Sequence, residues 1–286
     1  MKKTQDNIGE SITITEIKMN EMRFNIIGTS PLMPHAVSAK AAGSLLFPAP
    51  KKNAAEKATS MKHEPLEEFR DACYLFLDSD ETPTRLYMPG GAFHSAMAQV
   101  AIDMIGAKKA QIARLTNVPI SKIPVFGVPK LIMSIVRSSD MARTPDVRTL
   151  PILSEWCAEI PVRFVASLLK EQSIANLFAA AGVIVGIGDG RPEKGKLSYG
   201  QFRLCNDDDP DFVRIKTMGR DAQDKGLDAA EPYDLETERL LSWFEAEKLR
   251  RAAAPAPSEK RKKKTDTVNV TTNGGTRPDE TRHDMT

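Results

Sequence analysis

Aromatic residues are scarce. Phe, Trp and Tyr make up 6% of the 286 residues, so a core is expected to rest mainly on Ile, Leu, Val, Met and Ala. Cysteine is scarcer still. Cys73, Cys157 and Cys205 are odd in number, far apart and at no metal-ligand spacing. That excludes a disulfide framework and reads as reduced, mostly buried thiols in a cytoplasmic protein. No run approaches the ~18–20 apolar residues of a membrane span, and the first ten residues are polar, unlike a secretory signal. The histidines form no H-x-x-x-H or Cys/His pattern, which argues against a metal site. A large excess of one charge is missing too. The formal net charge is +2, from 40 basic and 38 acidic residues. Ten of the basic and five of the acidic residues fall in 248–286, leaving 30 and 33 in the body. The body is not broadly basic, so any polyanion surface on it must be a local stripe.

What is present is enough for one sizeable core, or a core with a subdomain: 41% of residues are apolar. A loose leader over 1–10 precedes a candidate strand at 11–16 and a stronger one at 22–33 (MRFNIIGTSPLM), which a Gly-Thr-Ser-Pro break interrupts. Residues 34–62 read as irregular. Pro34, Pro48 and Pro50 prevent a long helix there, and Lys51, Lys52, Lys57 and Lys62 make the stretch basic. Apolar spacing predicts helices over 64–78, 92–105, 108–115, 171–181 and 234–251, and strands over 84–88, 124–136, 158–168 and 199–205. Residues 138–149 read as a polar, Arg-rich loop, the Asp207-Asp208-Asp209-Pro210 run as a turn, and 211–218 as a further strand. The expected organisation is a single α+β domain over 11–247, with insertions around 34–62 and 106–123, then a disordered basic tail over 248–286. The main elements reduce to β-α-β-β-α-β, the ferredoxin-like order. RNA-recognition domains bind single strands on the open face of such a sheet, although the same order hosts many functions.

The most distinctive segment is 186–202, GIGDGRPEKGKLSYGQF. Gly186, Gly188, Gly190, Gly195 and Gly200 alternate with Arg191, Lys194 and Lys196. Glycines let a backbone approach a ligand closely, and the exposed amides and cations of such a loop suit phosphate oxygens. The segment lacks the Gly-Lys-Ser/Thr ending of a phosphate-binding P-loop. It also lacks the third glycine and following helix of a dinucleotide turn, so no cofactor is expected. A plain glycine-rich hairpin is the other reading. Arg143 and Arg148, in the loop expected over 138–149, could clamp a phosphate backbone or stand as solvated charges. His35 follows the first strand and, with Lys40 or Lys62, could support acid–base chemistry, but no partner motif accompanies it. The KRKKK run at 260–264 attracts polyanions or simply solubilises.

Taken together these segments resemble the RAMP superfamily, and within it the backbone subunits of CRISPR effector complexes that coat guide RNA. Three features carry the likeness: the first strand running into GTSPL at 28–32; Met88-Pro89 followed by a helix with small residues (Ala92, Ser95, Ala96, Ala98); and the glycine-rich segment before the last strand. The resemblance covers about residues 20–206. It implies a ferredoxin-like core, an inserted thumb-like or lid-like region, single-stranded RNA or DNA as partner, and head-to-tail self-association. It further implies contacts through His35, Lys40, Arg143 and Arg148 and through Arg191, Lys194 and Lys196 of the glycine-rich loop. No position matches the loop aspartate with which some such subunits cleave RNA, so a non-catalytic binder is expected. The net-acidic body and the long basic tail depart from the family and leave room for a standalone, phage-encoded relative. A metal-independent RNA endonuclease using His35 and a structural protein of a virion remain alternatives.

Overall fold

The computed structural model describes residues 16–47, 61–76, 82–137, 141, 143–195 and 197–253. The expected leader, the 11–16 strand up to residue 15, Lys51, Lys52, Lys57, the end of the 64–78 helix, Lys196 and the KRKKK run lie outside them. In chain order the elements are β1 (Met19–Gly28), α1 (Ala39–Leu46), α2 (Pro65–Asp71), β2 (Tyr87–Pro89), α3 (Gly90–Val100), α4 (Lys109–Leu115), β3 (Thr116–Asn117), β4 (Lys122–Phe126), β5 (Pro129–Arg137), β6 (Pro145–Leu153), β7 (Cys157–Val165), α5 (Glu171–Ala180), β8 (Phe202–Cys205), α6 (Pro210–Ala229) and α7 (Leu235–Ala253).

The main sheet has the order β2-β4-β7-β1-β8, with β3 also on β7, and every pairing is antiparallel. β1 and β4 therefore run parallel with β7 between them, and β7 and β8 run parallel with β1 between them. These are two interleaved split βαβ units, crossed over by α3 and α5. The architecture is α+β and ferredoxin-like, as the element order implies. Alternation along the strands sets the two faces. Phe24 and Ile26 of β1 and Ala158, Ile160, Val162 and Phe164 of β7 enter the main core under α3 and α5. Aromatics are few but concentrated here. Phe202 lies 5.3 Å from Phe178, 6.2 Å from Trp156 and 6.4 Å from Phe93, centroid to centroid. The largest fully buried side chains are Trp156 and six phenylalanines, so this core has an aromatic centre that overall scarcity does not suggest.

Two sequence expectations need correction. Residues 145–149 of the expected 138–149 loop belong to a strand: β6 pairs with β5 from Pro129↔Leu153 to Arg137↔Pro145 in a separate two-stranded hairpin. Its polar residues Asp146 and Arg148 lie in the half nearer the tip, while residues 149–153 are all buried, so the strand has no simple period-2 signature. Residues 211–218 are not strand but the start of α6. Asp209 caps that helix by accepting from the Asp211 and Phe212 amides, and Pro210 takes its first turn. The Asp-Pro pair is a helix-start signal. Among the described residues of the 34–62 stretch the chain forms the eight-residue α1, which starts at Ala39, after Pro34. α6 lays Phe212 and Ile215 on the second sheet face, over Ile27, Phe126 and Cys157. That face is therefore partly covered and is not the open platform of an RNA-recognition domain. The thiols are internal: Cys73 and Cys157 are buried and Cys205 partly so. Burial pushes the first two up to about 12 and the third to about 11.

Candidate nucleic-acid interface

The sheet register explains why distant segments meet. β1 ends at Gly28 opposite Phe202, the first residue of β8. The chain leaving β1 therefore runs beside the chain entering β8, which is the glycine-rich segment. Three backbone bonds fix the two together: Thr29 N–H to Gln201 O (2.8 Å), Gly200 N–H to Pro31 O (2.7 Å) and Asp189 N–H to Met33 O (2.8 Å). Within the loop, Ile187 N–H donates to Gly200 O and Tyr199 N–H to Gly190 O. The two arms of the segment are thus paired like those of a hairpin, and its base is pinned to the exit of β1. Gly188 makes the approach possible. Its φ is +79°, and a Cβ there would sit 2.6 Å from Met33 O.

This brings four of the expected residues together. His35 Nδ1 lies 2.9 Å from Asp189 Oδ2, and Arg148 Nη1 lies 3.8 Å from the same oxygen. The hydrogen bond with His35, helped by the Gly190 amide and the charge of Arg148, holds the Asp189 carboxyl below its ordinary value. Arg191 donates from Nη1 to Gly188 O (2.9 Å) and from Nε to Glu193 (3.0 Å). Lys194 lies on the same loop, next to Glu193. Arg143 stands apart, exposed near the tip of the β5–β6 hairpin with φ +46°. Lys40 falls in α1.

Around the loop lie three clefts that share walls and form one trough. The first, about 550 Å³, is lined by Lys109, Arg191, Lys194, Ser95, Gln99 and His94. Its wall includes the start of α3, whose first turn has no side-chain cap and no acidic residue. The His94 Nε2 atom is buried there without a hydrogen-bond partner. The second, about 280 Å³, holds His35, Tyr74, Asp189 and Arg191. The Tyr74 hydroxyl donates to His35 O at 2.9 Å. The third, about 700 Å³, runs from His35 and Arg148 into the carboxylates of α2. The trough is basic at one end and acidic at the other. Among the described residues no group of His, Cys, Asp and Glu is placed to hold a metal ion, and no helix is long and apolar enough to cross a membrane.

The sequence reading missed Lys109, Tyr74 and the pairing role of Asp189. Asp189 was visible as the one acid of GIGDG. Lys109 and Tyr74 carry no local signal, since they reach the trough only through packing of α4 and of the segment after α2.

At the acidic end, Lys62 Nζ (2.5 Å) and His63 Nε2 (2.9 Å) bond Asp146 and hold its carboxyl down to about 2, from an ordinary 3.8. The folded value is the lower one, so the stabilisation is complete above about pH 4 and is lost as pH falls from 3.8 towards 2. Asp146→Asn is therefore expected to melt below wild type at pH 5 and to converge with it near pH 2, followed by thermal unfolding across that range. A constant offset would contradict the assignment.

No family model matches the chain, and no curated protein does. Among solved structures it is similar to a chain of the cryo-EM structure of the type III-B Cmr-beta bound to cognate target RNA, at 13% identity and a TM-score of 0.34. That match covers 66% of this chain and 60% of the other, so the chain spans three-fifths of the length of the Cmr-beta chain it matches. It is also similar to Cmr6 from Pyrococcus furiosus, at 9% identity and a TM-score of 0.33, over 66% of this chain and 100% of that one. At these scores the likeness carries no argument about function, and the assignment of the core rests on its own strand order.

Proposed function

We propose that this chain is a non-catalytic protein of RAMP type that holds single-stranded RNA or DNA along the trough beside its glycine-rich loop. One observation carries the reading: Lys109, Arg191 and Lys194, from two separate segments, converge with the uncapped start of α3 on one open cleft. Cations and helix-start amides bind phosphate oxygens, although the first amide of α3, Gly90 N–H, is already donated to Ser121 O. Ser95 and Gln99 add hydrogen-bonding groups to the same wall. The body's net negative charge fits a local stripe better than a diffuse basic surface. Head-to-tail self-association along the strand belongs to the same reading.

The test is fluorescence anisotropy with labelled 20-nucleotide RNA and DNA over a salt series, in full-length protein whose 260–264 run is changed to glutamine. Binding is expected to persist without the tail charges. Lys109→Ala with Lys194→Ala should weaken it about tenfold and flatten the logarithmic salt slope by roughly 1.4, for two lost phosphate contacts at ~0.7 each. The RNA should be recovered intact on a denaturing gel. Loss of all binding with the tail charges, or a double variant that binds like its parent, would overturn the interface.

A further inference from the structure

The outer half of the β5–β6 hairpin is held to the body differently from its base. At the base, Leu32 bridges Leu153, the Met133 amide donates to Thr237 Oγ1, and residues 149–153 are all buried. Over residues 145–148, nearer the tip, nothing is fully buried. Val147 packs on the core there, and two ionic ties add to it. Arg148 reaches Asp189 at 3.8 Å, and Asp146 accepts from Lys62 and His63.

The second tie fixes a protonation state. His63 Nδ1 lies 2.9 Å from Glu68 Oε1, and its Nε2 lies 2.9 Å from Asp146 Oδ1. An ionised carboxylate offers only lone pairs, so both ring nitrogens must carry a proton. Turning the ring over would put carbons where the nitrogens stand, so no neutral arrangement makes both bonds. His63 is thus an imidazolium shared between α2 and β6, and its surroundings are acidic. From α2 and its approach the cleft receives Glu64, Glu67, Glu68 and Asp71, and from β6 it receives Asp146 and Arg148. Lys62 reaches Asp146 from a side chain that is 71% exposed, and such an ion pair holds weakly. Lys248 meets Glu64 at the rim, and His35 is engaged with Asp189 on the far side. Removing the imidazolium charge leaves the acids of α2 facing Asp146, and like charges at close range repel.

We propose that His63 is a proton-operated latch that closes the outer half of the β5–β6 hairpin onto α2. With the imidazole charged, both bonds form and the hairpin is shut. Histidine changes charge between about pH 5 and 8. As pH rises through that range one bond is lost and the acidic faces push apart. The paired contact belongs to the protonated form, so the latch holds at the acid end and releases at the alkaline end. The hairpin pivots on its buried base and carries Arg143 and Arg148 with it. The latch is a property of the fold and does not depend on nucleic-acid binding.

Double electron–electron resonance reads the latch in the full-length chain. Nitroxides are placed at Leu66→Cys on α2 and Ile135→Cys on β5, both exposed positions. The internal native thiols resist the label because burial keeps them protonated. A narrow distance is expected to dominate at pH 5.5, with a longer, broader population rising from about a tenth there to about a half at pH 8. His63→Phe keeps a ring but no donor, and should show the open population at both pH values. Glu68→Gln should keep the hairpin shut at pH 8, because an amide donates to the bare Nδ1 and leaves the Nε2 proton for Asp146. A distribution unchanged between pH 5.5 and 8 would overturn the proposal. So would a His63→Phe protein that titrates like its parent, since the change would then belong to His35.

Discussion

Gly200→Ala is expected to lower the melting temperature by roughly 6–10 °C, corresponding to about 3 kcal/mol for a chain of this size, and to abolish oligonucleotide binding by the body. Gly200 is buried at the base of the glycine-rich loop with φ +69°. An alanine there adopts the left-handed region at a cost of ~1–2 kcal/mol. Its Cβ would also overlap the carbonyl oxygen of Ile187. That oxygen has little room to move, because Ile187 is itself held by donating its N–H to Gly200 O and by burying its side chain in the core. Gly200 N–H meanwhile donates to Pro31 O, so displacing residue 200 also loosens the exit of β1. Arg191, Asp189 and His35 lose their common placement together. Gly195→Ala is the matched control: its φ is −170° and, among the described residues, nothing lies within 4 Å of the added methyl. It should melt and bind like wild type. Circular dichroism melts and anisotropy on the two variants read both effects. A Gly200→Ala protein within 2 °C of wild type would mean that the base of the loop is not rigid.

The contrast between those two glycines shows how much of the site is legible in the sequence. Composition marks 186–202 as unusual but cannot distinguish Gly200, which is locked, from Gly195, which is free. Only the pairing of Gly28 with Phe202 does so, since it decides which loop residue faces Pro31 and which faces solvent. The same pairing brings His35 and Asp189 together although they lie 154 positions apart. The sequence singled out the glycine-rich loop, His35 and Arg148 as separate signals and held no information on their adjacency. Arg143 looked equivalent to Arg148, being close in sequence and in a similar setting. The β5–β6 register separates them, because Arg148 sits opposite Ser134 within the ladder whereas Arg143 lies beyond its last pair.

The fold was more legible than the site. The split βαβ order follows from strands and helices whose apolar spacing is strong, notably β1, α3, β7 and α5. The failures occurred where tertiary contacts override local pattern. β6 mixes exposed charges with a continuous buried run, and its strand identity comes from nine paired residues of β5. α6 begins with apolar Phe212, Val213 and Ile215, a spacing open to either period. Its Asp209 cap and Pro210 decide for helix. What no local rule could supply is that this helix, after a kink at Gly219 (φ +63°), sends a glutamine into the interior.

That glutamine yields the largest stability effect expected in the molecule. Gln223 is 0% exposed and its amide is fully used. Oε1 accepts from the Arg85 (2.7 Å) and Leu86 (3.1 Å) amides, while Nε2 donates to Val125 O (2.8 Å) and Gly127 O (2.9 Å). One side chain thus stands in for a missing stretch of backbone pairing between the segment entering β2 and the end of β4. Gln223→Leu leaves two buried donors and two buried acceptors unpaired. At ~1–3 kcal/mol for each such group, partly offset by relaxation, the expected loss is about 4 kcal/mol or more, a large share of the ~5–15 kcal/mol that holds a typical domain together. Gln223→Glu separates the polar contribution from packing. An ionised carboxylate accepts from Arg85 and Leu86 but faces the Val125 and Gly127 carbonyl oxygens with no proton to offer. Burial and those oxygens push its pKa above that of an unfolded Glu, so the deficit of this variant should be small in acid and grow as pH rises through the folded value. The Leu variant, with nothing to titrate at that position, should show a deficit independent of pH. Urea unfolding of both variants and wild type between pH 4.5 and 8 makes the comparison. A Leu variant within about 1 kcal/mol of wild type would mean that solvent reaches all four backbone groups, and the seam between α6 and the sheet would then be wet rather than sealed.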